Sequence, residues 1–326
     1  MIGYYITAFV STFIVTALAA RLLIPKLRSM KLGQKILDVG PRWHKSKEGT
    51  PTMGGLSFIA AALIVFIPFA VYLVSKGVDG VDRMAIVMLM ATANGAVGIV
   101  DDLTKFKNHR NEGLTASQKY LLQLICAGLF LAAMKLTGNL SETLYIPYVG
   151  VELDLGIIYY ILSILLITGI VNSVNLTDGI DGLASTVTLA VAAFFSVAAF
   201  SLSALPEAII AAITLGCCLG FLVYNFYPAR VFMGDTGSLF LGGLVIGMAY
   251  MINNPLIIVI VGIIYIIEAL SVMIQVTYFK LTHGKRFFKM APIHHHFEKC
   301  GWSELKIVGV FALVTVIAGA AAYFGL

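Results

Sequence analysis

Three groups of polar residues stand out in a chain that is otherwise largely apolar. A run of histidines, from His294 to His296, lies in a basic loop near the C-terminus, Asp101 and Asp102 form an adjacent carboxylate pair, and residues 172–181 contain two Asn and two Asp. Three consecutive histidines between two hydrophobic segments are not needed to hold a membrane bundle together. They therefore suggest a site for phosphate, metal or proton transfer at a membrane surface.

This mixture of side chains suits phosphoryl transfer with a divalent metal ion. Mg²⁺ prefers carboxylate oxygens and substrate phosphates and keeps several waters, so Asp101 and Asp102 offer metal ligands and a general base. The reaction also needs positive charge over the non-bridging phosphate oxygens, which the lysines and histidines of the basic loops could supply. Glycines within residues 178–182 and 233–238 allow close backbone approach to a ligand, and helix N-termini just beyond them would present N–H groups to phosphate.

The elements that must position these groups are predicted to be membrane-spanning helices. The 326 residues are 59% hydrophobic and 12% charged, with a mean hydropathy of +0.93, whereas a soluble domain carries about 25% charge. We therefore predict an all-α polytopic membrane protein formed by a single domain, residues 1–326. Ten apolar runs approach the length that spans about 30 Å of hydrocarbon, and the eighth is short enough to be tilted, broken or paired with the ninth. The runs are 4–23, 54–74, 84–100, 120–136, 157–174, 183–202, 208–224, 238–252, 255–279 and 307–324.

The basic residues predict how this bundle is oriented. All but Lys76, Arg83 and Lys135 of the 22 Lys and Arg residues fall in connections on one side of the predicted bundle. Basic connections face the cytoplasm, so both termini should lie on the extracytoplasmic side. The same orientation brings all three polar groups to the cytoplasmic face, where we expect an active-site cleft.

Each polar group also has a purely structural interpretation. Asp101 and Asp102 could be an acidic helix end, although the negative end of the helix dipole disfavours that. Asp178 and Asp181 could be ordinary turn residues beside glycine, and the histidines could form a solvated loop. Glu268, deep in the ninth predicted span, is more typical of a paired structural carboxylate than of a catalyst.

Five segments, taken in order, carry a resemblance to a known family. The chain resembles the polyprenyl-phosphate N-acetylhexosamine-1-phosphate transferases over essentially its whole length. The second to fourth segments are typical of the whole superfamily, whereas GTPTMGG within the first segment and the fifth point to its phospho-N-acetylmuramoyl-pentapeptide-transferase branch. The segments are PRWHKSKEGTPTMGG (41–55), VDDLTK (100–105), NSVNLTDGIDGL (172–183), FMGDTGS (232–238) and PIHHHFE (292–298).

The resemblance implies a definite reaction. A bacterial plasma-membrane enzyme of this family moves phospho-MurNAc-pentapeptide from its UDP carrier to undecaprenyl phosphate, which gives lipid I and UMP in the first membrane step of peptidoglycan synthesis. It implies Mg²⁺ as cofactor with Asp235 as the principal ligand, and Asp101 and Asp102 as the catalytic pair, with Asp101 expected to deprotonate the lipid phosphate. A one-step in-line attack and an aspartyl-phosphate intermediate remain alternative mechanisms.

The resemblance also implies a set of substrate-binding residues. Phe232 is expected to stack on the uracil, and Lys47 is expected to contact the phosphates. His294 and His295 are expected to contact substrate phosphate or sugar, and His294 is also placed among the catalytic residues. His296 could be structural. The set is Lys47, Thr52, Asn172, Asn175, Leu176, Asp178, Asp181, Asn225, Phe232, Ser238, Gln275, His294 and His295. The expected partners are the two substrates, membrane lipids and a second copy of the chain in a homodimer, with no nucleic acid.

Two other functions compete with this one. A sister enzyme would transfer GlcNAc-1-phosphate to a polyprenyl phosphate, and the PIHHHFE segment argues against it. An ion-coupled transporter would use Asp and His residues as a relay and would place ionisable groups near mid-membrane. Glu268 is the strong candidate for such a group, since the other polar residues are predicted to lie at one surface.

Overall fold

The computed structural model describes residues 1–30, 47, 49–107 and 113–326. Within these residues the regular structure is helical apart from one antiparallel hairpin. Residues 41–46 and 48 of the first family segment lie outside the described residues, as do the predicted cytoplasmic basic residues Lys31, Lys35 and Arg110. The helices are α1 (Ile2–Ser29), α2 (Gly55–Ser75), α3 (Val81–Lys107), α4 (Ala116–Leu136), α5 (Ile157–Thr177), α6 (Leu183–Ser201), α7 (Leu205–Asn225), α8 (Gly234–Met251), α9 (Ile257–Val261), α10 (Ile263–Leu281), α11 (Ile293–Lys299) and α12 (Glu304–Tyr323).

The prediction of an all-α polytopic membrane protein is confirmed. Nine helices in the described part of the chain are long and apolar enough to cross a membrane, whereas the sequence predicted ten spans. The eighth predicted span corresponds to α8, whose glycines and Asp235 dilute its apolar content. The ninth is divided at Gly262 into the short α9 and the longer α10.

Helix α8 occupies the centre of the bundle. Every residue from Thr236 to Met251 is buried, and α3 and α5 pack along it. The packing is close because small residues let the backbones approach: a Cβ atom on Gly98 of α3 would overlap the backbone carbonyl of Asp235. The end of α3 that carries Asp101 and Asp102 is thereby held against the start of α8.

The hairpin lies at the opposite end of α8 from Asp235. Strands β1 (Thr143–Ile146) and β2 (Val151–Asp154) pair in antiparallel register. They line a cavity of about 290 Å³ together with residues 252–254, which follow α8. Eighteen helical residues rise about 27 Å, so this hairpin, which the sequence analysis did not predict, is far from the acidic residues.

Candidate active site

Three carboxylates meet where α3 ends and α8 begins. Oxygen atoms of Asp101, Asp102 and Asp235 all lie within 4.8 Å of one another. Asp101 and Asp102 are buried, with exposed fractions of 3% and 5%, while Asp235 is half-buried. We call these three residues the acidic cluster.

Asp102 holds the start of α8 in place. Its Oδ2 accepts hydrogen bonds from the backbone N–H of Thr236 at 2.9 Å and from the Thr236 hydroxyl at 2.8 Å, and its Oδ1 accepts from the backbone N–H of Asp235 at 3.3 Å. The first N–H groups of a helix lack intrahelical partners and carry partial positive charge. Asp102 therefore caps α8 from a different helix and fixes the position of Asp235.

Asp235 receives donors from three helices. Lys105 Nζ of α3 and Lys119 Nζ of α4 lie 2.8 and 2.9 Å from Asp235 Oδ2. The Nδ2 of Asn175, near the end of α5, donates to Asp235 Oδ1 at 2.9 Å and also contacts the buried Ser238 hydroxyl at 2.7 Å. The ends of four helices thus converge on one carboxylate.

Asp101 is also paired with Lys105. The Lys105 ammonium lies 2.6 Å from Asp101 Oδ2, and the other carboxylate oxygen accepts from the backbone N–H of Leu114 at 2.9 Å. Lys105 is 3.7 Å from Asp102 as well, so one ammonium lies among all three carboxylates. The Lys105 ammonium therefore lies where a bound cation would neutralise the three carboxylates.

The cluster carries more negative than positive charge. Three carboxylates face the two ammonium groups of Lys105 and Lys119, and Asp178 follows directly after α5. Desolvation, together with the charges of Asp235, Asp102 and Asp181, raises the pKa of Asp178 to about 8. Asp178 is therefore mostly protonated near neutral pH, and the excess of three cluster carboxylates over two ammonium groups is the electrostatic setting that favours a divalent cation.

The three carboxylates fit a Mg²⁺ ion. Oxygens on opposite sides of an octahedral Mg²⁺ lie roughly 4 Å apart, and the cluster oxygens lie within 4.8 Å of one another before any adjustment. Asp101, Asp102 and Asp235 are therefore the residues that would hold the ion. Asp235, which the sequence analysis assigned as the principal ligand, is the most exposed of the three.

A second polar group joins the loop after α5 to the start of α12. Lys47 Nζ lies 2.7 Å from Asp181 Oδ1 and 2.6 Å from Glu304 Oε2. The other Asp181 oxygen accepts from the backbone N–H of Ala229 at 2.8 Å, and Glu304 accepts from the backbone N–H of Asp181 at 3.0 Å. Two carboxylates thus hold the ammonium that the sequence analysis assigned to substrate phosphate.

The three histidines have three different environments. His294 is fully buried, and its Nδ1 lies 3.0 Å from Oε2 of the equally buried Glu268. His295 Nδ1 lies 2.6 Å from Glu298 Oε2 on the same short helix. His296 accepts a hydrogen bond from the backbone N–H of Lys289 at 3.1 Å, which gives it a structural contact within its own loop.

Several other predicted site residues make contacts away from the acidic cluster. Asn172 forms a reciprocal amide pair with Gln123 of α4, with N–O distances of 2.5 and 3.2 Å. Asn225 donates to the carbonyl of Val231 at 3.0 Å, so it secures the loop that precedes α8. Gln275 Oε1 accepts from the backbone N–H of Phe288 at 2.8 Å.

The remaining predicted residues lie near the start of α8 or the end of α5. The backbone N–H of Phe232 donates to the carbonyl of Pro51, and the carbonyl of Phe232 accepts from the N–H of Gly54, both at 2.8 Å. This bridge brings Thr52 beside the first turn of α8. Leu176 is half-buried in the last turn of α5.

Comparisons with known proteins assign the chain to a family. A family profile described as glycosyl transferase family 4 matches residues 84–253. The phospho-N-acetylmuramoyl-pentapeptide-transferase of Clostridioides difficile (strain 630) is 47% identical over 307 residues, which are 94% of this chain and 92% of that relative. The protein of the same name from Clostridium acetobutylicum is 44% identical over 328 residues, 99% of each chain. The chain belongs to the phospho-N-acetylmuramoyl-pentapeptide-transferase family.

Membership of this family favours the transferase over its rivals. The protein has nine candidate spans in its described residues and is therefore a multi-pass membrane protein. Its relatives match along almost the whole chain and are phosphotransferases, whereas an ion-coupled transporter would not be expected to have such relatives. The matched profile includes the whole acidic cluster and ends before Glu268 and His294.

Four residues that the structure brings to these sites were not predicted from the sequence. Lys105 and Lys119 contact Asp235, Gln123 pairs with Asn172, and Glu304 holds Lys47. Lys105 lies in a family segment, three and four residues after the two aspartates, a spacing that places it on their helix face. Lys119, Gln123 and Glu304 have no local signal in the sequence, because their partners are far away along the chain. The shortest separation is the 49 residues between Gln123 and Asn172.

Proposed function

We propose that this protein transfers phospho-MurNAc-pentapeptide from UDP-MurNAc-pentapeptide to undecaprenyl phosphate, giving lipid I and UMP. The observation that carries the proposal is the acidic cluster with Lys105 and Lys119, in a chain that matches named transferases over nearly its full length. The carboxylates can bind a metal ion that holds the diphosphate of the donor, and the nearby ammonium groups can attract the anionic acceptor.

In the proposed reaction an oxygen of undecaprenyl phosphate attacks the β-phosphorus of the nucleotide sugar. The bond from that phosphorus to the oxygen that bridges to the α-phosphate breaks, and UMP leaves with the bonding electrons. Asp101 accepts the proton of the acceptor phosphate, and its contact with Lys105 at 2.6 Å orients the carboxylate for that role.

The protein residues contribute mainly by positioning charge. Asp102 fixes the first turn of α8, and Asn175 orients the Asp235 carboxylate. Lys105 and Lys119 offer positive charge to the transferred phosphoryl group. Mg²⁺, held by Asp101, Asp102 and Asp235, would supply charge neutralisation at the diphosphate.

We place this chemistry at the cytoplasmic face of the plasma membrane. The distribution of Lys and Arg supports that orientation, because the nucleotide sugar is soluble and the acceptor lipid presents its phosphate at the surface. A single integral-membrane domain would carry the whole site. The homodimer stays a prediction, which light scattering of the detergent-solubilised protein checks.

An assay with two donors tests the proposal. The purified protein in detergent would receive undecaprenyl phosphate and Mg²⁺ with either UDP-MurNAc-pentapeptide or UDP-GlcNAc, with and without EDTA. UMP release and a lipid-linked product from the muramoyl donor alone, lost in EDTA, are expected. Product from UDP-GlcNAc would instead indicate the sister activity, and activity that survives EDTA would contradict the metal assignment.

A labelling experiment tests the single-step mechanism. Donor labelled at its β-phosphorus, incubated without the lipid acceptor, should leave no label on the protein. Phosphorylated protein that is then discharged by undecaprenyl phosphate would instead establish an aspartyl-phosphate route.

A further inference from the structure

Helix α10 presents a polar face to the segment that carries the histidines. Glu268, Ser271 and Gln275 follow one another at intervals of three and four residues, the spacing of one helix face. Gln275 accepts the backbone N–H of Phe288 at 2.8 Å, and Glu268 contacts His294 Nδ1 at 3.0 Å. The two side chains therefore hold the segment of residues 288–294 at both of its ends.

The Glu268 and His294 side chains are buried. Both side chains have no exposed surface. The Ser271 hydroxyl donates to the backbone carbonyl of Glu268 at 2.7 Å, and the ring of His295 lies 4.1 Å from that of His294, centroid to centroid. A buried ionisable side chain of this kind is costly unless it is paired, and each residue supplies the other with a partner on one atom only.

The opposite edge of the His294 ring faces the loop after α5. A Cβ atom on Gly179 would overlap His294 Nε2 and Cε1, so the imidazole edge packs directly against the backbone between Asp178 and Asp181. His294 Nε2 and Glu268 Oε1 are buried without a hydrogen-bond partner in the part of the chain that the structure describes. Buried polar atoms are nearly always paired in native proteins, so an unpaired one points to a ligand or a functional role.

We propose that Glu268 is a positioning residue for His294. Its carboxylate accepts the Nδ1–H of His294, which fixes the tautomer and the plane of the ring. Nε2 is then the atom left to form a hydrogen bond with a polar group of the bound substrate, once binding shifts the Gly179 backbone that covers it. Glu268 itself does not touch substrate; it acts through the histidine, as second-layer carboxylates do when they orient a functional imidazole.

The proposal rests on the proposed transferase function and makes a quantitative statement about it. Glu268→Gln can present an N–H to Nδ1 and so favour the wrong tautomer, and we expect a drop of about 10- to 100-fold in kcat/KM. Glu268→Asp keeps the carboxylate at a greater distance and should recover part of the loss. Ser271→Ala is the matched control on the same helix face, because within the described residues its hydroxyl bonds the Glu268 backbone and not the carboxylate; its kcat/KM should match the parent.

A double-variant cycle separates positioning from a general structural role. If Glu268 acts through His294, Glu268→Gln should cost little further activity in the His294→Asn background, because the interacting atom is already absent. Multiplied losses in the double variant would overturn the proposal, as would a Glu268→Gln protein with parental kcat and KM.

A second measurement does not depend on turnover. Selective nitrogen-15 labelling of the six histidines, with the His294 signals identified by their loss in His294→Asn, reports which ring nitrogen carries the proton. We expect protonated Nδ1 in the parent and a changed pattern in Glu268→Gln; should that variant not fold, Glu268→Asp should show a smaller change, because it keeps a carboxylate at a greater distance from Nδ1. An unprotonated Nδ1 in the parent would overturn the proposal. If the parent has this pattern but makes no lipid-linked product, the proposed function fails while the positioning role stands.

Discussion

The two ends of helix α3 both bury charge, but in different proportions. Near its start, Arg83 Nη2 lies 2.5 Å from Glu207 Oε1 of α7, so one cation meets one anion. At its end, Asp101 and Asp102 join Asp235 around Lys105 and Lys119. The first arrangement is balanced and complete in charge, whereas the second has an excess of carboxylates.

This difference distinguishes a structural ion pair from the ligand site that we propose. A balanced buried pair needs no added charge, and removing either partner would leave the other charge buried without a counter-ion. An unbalanced cluster is stable only when lysines or an added cation compensate for it. Similar residue types on a single helix can therefore have different roles. Substitutions at the end of α3 should lower turnover, whereas substitutions at its start should lower stability.

The largest expected effect is at Asp235. Asp235→Asn removes the charge that holds Lys105 and Lys119 and one side of the acidic cluster, so turnover should fall on the order of 10³-fold. Initial rates of UMP release at saturating substrates measure it. Asp82→Asn, at the exposed opposite end of α3, is the control and should retain parental rates. Near-parental turnover by Asp235→Asn would remove the metal assignment.

The ion pair at the start of α3 should affect stability instead. Glu207→Ala leaves Arg83 partly buried without its carboxylate, at a cost of about 3 kcal/mol, and the thermal midpoint in detergent should fall while the folded fraction keeps its activity. The paired change Arg83→Met with Glu207→Leu should restore most of the midpoint, because hydrophobic replacement of a buried pair is often neutral. A loss of activity in folded Glu207→Ala would contradict the contrast between the two ends.

A smaller effect is expected where α4 meets α5. Gln123→Leu leaves the Asn172 amide without its reciprocal partner, and we expect turnover to fall about 10-fold because Lys119, one helical turn away, loses its alignment with Asp235. Thr137→Ala is the control, because its hydroxyl bonds the Ala133 and Met134 carbonyls and the Asn139 side chain, at the opposite end of α4 from Lys119. Unchanged turnover in Gln123→Leu would show that the amide pair does not align the lysine.

Asp178 should give a pH dependence of stability. Its pKa is raised to about 8 from 3.8, so folding favours the protonated acid; the associated stability is fully present below about pH 4 and is lost as the pH rises through about 8. Asp178→Asn should therefore gain in thermal midpoint relative to the parent as the pH increases over that range, measured in EDTA. A constant difference between the two proteins would contradict the raised pKa.

The smallest effect is expected at Lys26. This residue is exposed in the last turns of α1 and contacts neither end of α3 in the described part of the chain, so Lys26→Ala should change turnover by less than about twofold. A larger loss would indicate that charge remote from the acidic cluster contributes to substrate capture, and its salt dependence would show it.

The sequence by itself determined the class of protein and the residues that could do chemistry. Long apolar runs specify membrane helices because each span must satisfy its backbone internally, and nine such helices are present in the described residues. The carboxylates of the acidic cluster were also predicted, since acidic residues at the ends of apolar helices need a reason to be there. The sequence also showed that the eighth span is short, but it did not predict that this helix lies at the centre of the bundle.

Only the tertiary structure decided which atoms meet. Asp102 and Thr236 are 134 residues apart, and no periodicity along the chain could predict that one caps the helix of the other. The same applies to Lys119 beside Asp235 and to Glu268 beside His294, 116 and 26 residues apart. Spacing specifies the face of a helix on which a residue lies, but a contact between helices depends on their packing angle and closest approach. Here Gly98 sets the approach of α3 to α8, and with it the geometry of the site.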